Sequence, residues 1–128
     1  MNKAIGHIGW LDLTVEDAPG VRDFYQQVIG WGTEGVSMGD YEDFTMVAPD
    51  GARLAGVCHA RGSNAGLPVA WLIYINVADL DESMSRCLAL GGEVVSGAKQ
   101  TPGYGRYCII RDPAGVACAL FEHESSEA

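Results

Sequence analysis

Leu11-Asp12-Leu13-Thr14-Val15-Glu16-Asp17 is echoed about 62 residues later by Ile73-Tyr74-Ile75-Asn76-Val77-Ala78-Asp79. Each copy leads into a helix-length stretch that stops at a glycine, Gly30 or Gly92, and the turn Pro49-Asp50-Gly51 has a counterpart in Asp112-Pro113-Ala114-Gly115. A chain built from two copies of one unit usually packs them by pseudo-symmetry and encloses a cleft, so function turns on what lines that cleft.

Working outward from the first copy, Ile5 to Val15 reads as a strand, with Leu11, Leu13 and Val15 on one face and Trp10, Asp12 and Thr14 on the other. Asp17 before Ala18-Pro19 is an N-cap signal, and Val21, Phe24, Tyr25, Val28 and Ile29 recur at helical spacing, predicting a helix over Pro19 to Ile29. Strands are expected near Thr33 to Ser37, Asp43 to Ala48 and Arg53 to His59, the last two joined by the Pro49-Asp50-Gly51 turn. Residues 61–68, rich in Gly, Ser and Asn and closed by Pro68, read as a linker between module one, 1–60, and module two, 69–124, of a single domain spanning 1–128. The order then recurs: a strand from Val69 to Val77, a helix from Leu80 to Leu90, and strands near Glu93 to Ser96, Arg106 to Arg111 and Val116 to Glu122. Each module is βαβββ, so the fold class is α+β, with two curved mixed sheets around a cleft.

In the second copy Ile73, Ile75 and Val77 form the aliphatic face and Leu72, Tyr74 and Asn76 the other. An aliphatic strand face is needed to cover a helix stripe such as Val21, Phe24, Tyr25 and Val28, so the mixed faces are expected to meet the ligand. The residues placed there are Trp10, Asp12, Thr14, Leu72, Tyr74 and Asn76, with Tyr107 and Tyr104 as further hydrogen-bonding groups.

Composition excludes several classes. A length of 128 residues with 48% hydrophobic and 20% charged side chains is that of an ordinary globular domain, and no apolar run approaches the ~20 residues of a membrane span. Eight basic against seventeen acidic residues, a net charge of -9, repels a phosphate backbone, so neither nucleic acid nor a membrane is an expected partner. Met1 to Gly6 lacks a signal-peptide pattern and the four cysteines include no CxxC pair, so a cytoplasmic location with buried, unbridged thiols is expected. The acidic tail Glu122 to Glu127 reads as a frayed, solvated end.

The two βαβββ modules, the run Phe24-Tyr25-Gln26-Gln27-Val28-Ile29-Gly30-Trp31 at the end of a helix, and the Asp112-Pro113-Ala114-Gly115 turn before the closing strand together resemble the vicinal oxygen chelate superfamily. That superfamily holds glyoxalase I, extradiol dioxygenases and bleomycin or fosfomycin resistance proteins. The resemblance covers nearly the whole chain, and its detail looks most like the glyoxalase-related branch that has no well-established substrate. It implies a small-molecule ligand in a cleft and, often, a homodimer in which two chains share the shaping of that cleft. The apolar strands Ile5 to Trp10 and Val69 to Leu72 are the expected junction; in a monomer the linker would have to cover Trp71.

The resemblance also implies one divalent ion held by a His or Glu from each of four strands, with open positions for a substrate's adjacent oxygens. Carried over by spacing, the four positions fall on Trp10, Leu72, Ala119 and either Ala55 or Gly56, none of which binds a metal. No cofactor is therefore predicted. The alternative is a divalent metal on displaced ligands, His7, His59 and Glu122, each of which also reads as an ordinary strand-edge, surface or chain-end residue.

Other chemistry is sparse. Gly-x-Ser-x-Gly is absent, and Cys58 and His59 are strand neighbours that point to opposite faces, which prevents a thiolate-imidazolium couple. Asp12, between Trp10 and Thr14, is the candidate catalytic base if desolvation raises its pKa, or a structural carboxylate if an arginine or backbone donors fix it. The expectation is thus a glyoxalase-related protein with a ligand-binding cleft and without the superfamily's metal. Its alternatives are a metal-dependent lyase, isomerase or dioxygenase, and a drug-sequestering resistance protein.

Overall fold

The computed structural model describes residues 3–124. Eleven elements follow one another: strand β1 (Ile8–Val15), helix α1 (Ala18–Ile29), β2 (Gly32–Ser37), β3 (Glu42–Val47), β4 (Arg53–His59), a short 3₁₀ turn (Gly62–Asn64), β5 (Trp71–Asn76), α2 (Leu80–Ala89), β6 (Glu93–Thr101), β7 (Gly105–Arg111) and β8 (Ala117–His123). The fold is α+β with curved mixed sheets and two helices, as the βαβββ repeat predicts. Among the described residues no helix is long and apolar enough to cross a membrane.

The helices start and stop for local reasons. Asp17 accepts a hydrogen bond from Gly20 N–H at 3.1 Å, Pro19 sits in the first turn, and Gly30 ends α1 in the left-handed conformation at φ 87°. Asp79 caps α2 by accepting from Glu82 N–H at 3.0 Å, and Asp81 and Glu82 place acid in its first turn, where the helix dipole favours it.

The chain divides into two compact units, residues 11–71 and residues 1–10 with 72–128. In the α1 unit the strands are ordered β2-β3-β4-β1, with β1 parallel to β4 and the remaining pairs antiparallel. Ala18, Phe44, Met46 and Val57 form its core, closed by Val15, Val21, Tyr25, Trp31 and Trp71. Trp71 packs edge-on to Tyr25 and Trp31, and its Nε1–H donates to the Tyr25 hydroxyl at 3.1 Å. The cover over Trp71 is therefore helix α1 and Trp31 of its own unit. Tyr25 and Trp31 of the Phe-Tyr…Gly-Trp run build this aromatic cluster, whereas Phe24 and Val28, expected in the covered stripe of α1, are exposed.

The α2 unit orders its strands β5-β8-β7-β6, with β5 parallel to β8. Leu80, Cys108 and Leu120 are its core, with Ile75, Val77, Met84, Ile110 and Cys118 packed around them. The first residues of the chain join this unit because Asn76 fastens them: Gly6 N–H donates to Asn76 O at 2.7 Å, Asn76 N–H to His7 O at 2.9 Å, and the Asn76 side-chain amide to Ala4 O at 3.1 Å.

Three expectations need correcting. β1 begins at Ile8 rather than Ile5, because the chain turns at Gly6, whose φ is 81°. β6 runs to Thr101 rather than stopping at Ser96, because register shifts at Val94/Ser96 and Ser96/Lys99 carry the strand through its small, polar middle. Glu122 and His123 are not a frayed end. They belong to β8, and Glu124 N–H still donates to Tyr104 O at 2.7 Å; the tail beyond Glu124 lies outside the described residues.

Candidate functional site

In the α2 unit, side-chain alternation sends Ile75, Cys118, Leu120, Cys108 and Ile110 under α2. The opposite face receives Tyr74 and Asn76 of β5, Ala119, Phe121 and His123 of β8, and Gly105, Tyr107 and Ile109 of β7, as the pairings Tyr74↔Ala119, Asn76↔Phe121, Tyr107↔Phe121 and Gly105↔His123 require. Four rings form a continuous row on that face. Tyr74 lies 6.0 Å from Tyr107, Tyr107 stacks parallel to Phe121 with centroids 6.4 Å apart, and Phe121 lies 4.7 Å from His123. Such a row presents a broad apolar surface with hydroxyl and imidazole groups at its margins, which suits a planar ligand. Tyr74, Tyr107, Phe121 and His123 are half-buried, whereas Leu72, Asn76, Ile109 and Ala119 are fully buried in the same face.

Asn76 also receives His123: the imidazole Nε2 lies 3.0 Å from Asn76 Oδ1. The Ala4 carbonyl can only accept, so it holds the amide nitrogen and leaves Oδ1 facing the ring. His123 therefore carries its proton on Nε2 when neutral. Its Nδ1 is buried and unpartnered. Burial, with Lys3 nearby, holds the imidazole below the usual histidine pKa.

In the α1 unit the equivalent face is polar. Asp12 pairs with Gly56 and Thr14 with Cys58 across β1 and β4. Thr14 and Asp43 are almost completely buried, and Asp43 accepts from His59 N–H at 2.8 Å. Gly56 is the space for the Asp12 carboxylate, since a Cβ there would overlap Asp12 Oδ1. Burial, then the charges of Asp12 and Asp43, push the Cys58 thiol far up, so it stays protonated and is not a nucleophile.

The positions carried over for a metal offer no donors. Leu72 and Ala119 are fully buried apolar side chains, Trp10 is half-buried, and Ala55 is buried beside Gly56. The displaced trio fares no better. Glu122 spends its oxygens on Leu80 N–H at 2.7 Å and on Arg106 at 2.9 and 3.2 Å, on the α2 side of the sheet. The Arg106 guanidinium beside it holds its carboxyl below the usual range. His59 faces the rings of Tyr41 and Phe44, at 5.2 and 6.1 Å, on the α1 side. His7 sits in the N-terminal segment beside Asn76. Among the described residues no three His, Cys, Asp or Glu side chains converge to hold an ion. The donor set does not fit the superfamily's metal.

Of the residues singled out from sequence, Tyr74, Asn76 and Tyr107 share one face of the α2 unit, and Asp12 and Thr14 one face of the α1 unit. Tyr104 is exposed in the turn between β6 and β7. Phe121, His123 and Asp43 were not singled out, and Cys58 only as a thiol that His59 cannot activate. The parity of β8 carried a signal, for Phe121 and His123 follow Ala119 at steps of two, but it is visible only once the strand is known to reach His123.

Comparison with known proteins gives a consistent answer. A sequence model described as the Glyoxalase/Bleomycin resistance protein/Dioxygenase superfamily matches residues 4–120. The anthracycline biosynthesis protein DnrV of Streptomyces peucetius is 29% identical over 130 residues, covering 92% of this chain and 47% of DnrV. The anthracycline biosynthesis protein DauV of Streptomyces sp. (strain C5) is 28% identical, covering 92% of this chain and 47% of DauV. The chain thus spans about half the length of these relatives. Among solved structures, methylmalonyl-CoA epimerase from Mycobacterium tuberculosis superposes with a TM-score of 0.59 at 18% identity, over 91% of this chain and 87% of that one, which shows a shared fold.

Proposed function

Because the chain belongs to the Glyoxalase/Bleomycin resistance protein/Dioxygenase superfamily, whose metal positions here carry no donors, we propose that it binds a small, planar, partly aromatic molecule without a metal. The observation that carries the reading is the row Tyr74, Tyr107, Phe121 and His123 on the face of the α2 unit turned away from its helix. DnrV and DauV, both named for anthracycline biosynthesis, support a planar ligand. Trp10 contributes a further flat wall. Two thermal-shift series test this, one of planar aromatics and one of aliphatic metabolites. The planar series should stabilise the protein, and Tyr107→Ala or Trp10→Ala should weaken the best binder by about 1–3 kcal/mol. Stabilisation by aliphatic compounds alone would overturn the proposal.

The burial of Thr14, two residues along β1 on the same face as Asp12, favours a second reading, an enzyme in which Asp12 is the base. Asp12→Asn would then abolish turnover of a ligand that still binds. The chain working as a homodimer is part of the proposal, supported by its membership of the superfamily. A mass in solution equal to one chain refutes that element. The cysteines of the described chain are unbridged, which supports a cytoplasmic location.

A further inference from the structure

Among the described residues, two side-chain polar atoms are buried without a partner, Thr33 Oγ1 and His123 Nδ1. Only the second lies in the ring row. The chain of hydrogen bonds from Ala4 O through the Asn76 amide to His123 Nε2–H fixes the ring's orientation and its tautomer. What remains is a lone pair on Nδ1, held rigidly at the end of the aromatic row beside Phe121. The same histidine lines a shallow, open depression with Gln100, Gly105, Arg106, Glu122 and Glu124. Arg106 is already committed to Asp81 and Glu122, so it offers no competing donor to the imidazole. A buried acceptor without a donor is a standing cost that a ligand can remove, and that gain is available only to a ligand carrying a proton at the right place.

We propose that His123 is the hydrogen-bond acceptor of the ligand site, taking a hydroxyl of a planar aromatic molecule on Nδ1. The assignment rests on the platform reading and narrows it, from planar molecules in general to hydroxylated ones. His123 selects by penalty as well as by gain, because an O-methylated analogue leaves Nδ1 buried and unpaired in the complex. Asn76 is the positioning residue, since it decides which nitrogen is bare.

The test uses 15N-labelled full-length chain at pH 7 and two neutral probes of almost equal size, 2-naphthol and 2-methoxynaphthalene. In the free protein the ring should be the Nε2–H tautomer with a bare Nδ1; the opposite tautomer, or a doubly protonated ring, overturns the assignment. 2-Naphthol should bind about fivefold to tenfold more tightly than its ether, and only 2-naphthol should move the Nδ1 resonance. His123→Phe, which keeps a ring and deletes the acceptor, should bind both probes alike; a retained preference overturns the assignment. If that variant fails to fold, the Nδ1 response of the unmodified chain decides. Equal binding of the two probes overturns the role of His123 and leaves the platform intact. Binding of neither probe overturns both.

Discussion

Gly105 lies opposite His123 in the pairing of β7 with β8, and replacing it with alanine tests the geometry of that face. Its φ is 150°, and a Cβ built there meets the Glu122 carbonyl oxygen and, at 2.9 Å, His123 Cα. Both are backbone atoms of the paired strand, so no side chain can swing away. Two costs follow from Gly105→Ala: a backbone conformation that L-residues avoid, about 1–3 kcal/mol, and the end of the β7–β8 ladder forced apart, about 1 kcal/mol for each hydrogen bond lost. Together they come to about 3 kcal/mol. Unfolding entropy near the melting temperature is about 2.1 cal/mol/K per residue, so for 128 residues about 0.27 kcal/mol/K, and the expected fall in Tm is about 11 °C. Gly103→Ala is the control. Gly103 has φ 86° with nothing near a built Cβ, so it loses only the left-handed allowance, about 1 kcal/mol or about 4 °C. Differential scanning calorimetry of both variants settles the matter: equal losses would refute the argument that β8 backbone, rather than φ alone, demands glycine at 105.

Acid should weaken the fold in two separate windows. His123 binds its proton less well folded than unfolded, so stability falls as pH drops below about 6.5 and levels off beneath its lowered folded pKa; Glu122, also lowered, contributes above about 4.5 and is lost as pH falls through its folded value. Thermal melts from pH 7.5 to 3 should show both steps, and His123→Phe should abolish only the upper one. Glu122→Gln should cost about 1–2 kcal/mol, because it weakens the cap on α2 and its pairing with Arg106, and a loss below 0.5 kcal/mol in urea unfolding would contradict that role. Cys58 is raised by burial and by two carboxylates, so the unfolded thiol ionises first and stability should decline as pH rises past about 9, a decline that Cys58→Ala removes. Purified protein should hold no stoichiometric transition metal, and EDTA should leave its Tm unchanged; one equivalent of Ni, Zn, Mn or Fe per chain would return attention to His59, His7 and Glu122.

The repeat of strand, aspartate cap and helix was legible because each step obeys local rules. Asp17 and Asp79 cap, Gly30 stops α1, and the period of two in Leu11 to Val15 and Ile73 to Val77 tells which face lies beneath a helix. Also legible is that Trp10, Leu72 and Ala119, where the resemblance would put metal ligands, carry no donor, since side-chain identity needs no coordinates. The partners of Glu122 were not. Its carboxylate reaches Arg106, sixteen residues back, and Leu80 N–H, forty-two back, and only the register of β7 with β8 brings these together.

The sequence by itself determined the βαβββ repeat, the capped helix ends and the aliphatic strand faces, because all of these depend on residue identity and short-range period. Tertiary structure alone decided that Asn76 ties the first residues to β5 and turns the bare nitrogen of His123 inward, that Gly56 makes room for Asp12, and that Tyr74, Tyr107 and Phe121 form one row. Those facts depend on which strands lie side by side and in what register, and pairing between segments tens of residues apart is set by the packing of whole faces, which no local window contains.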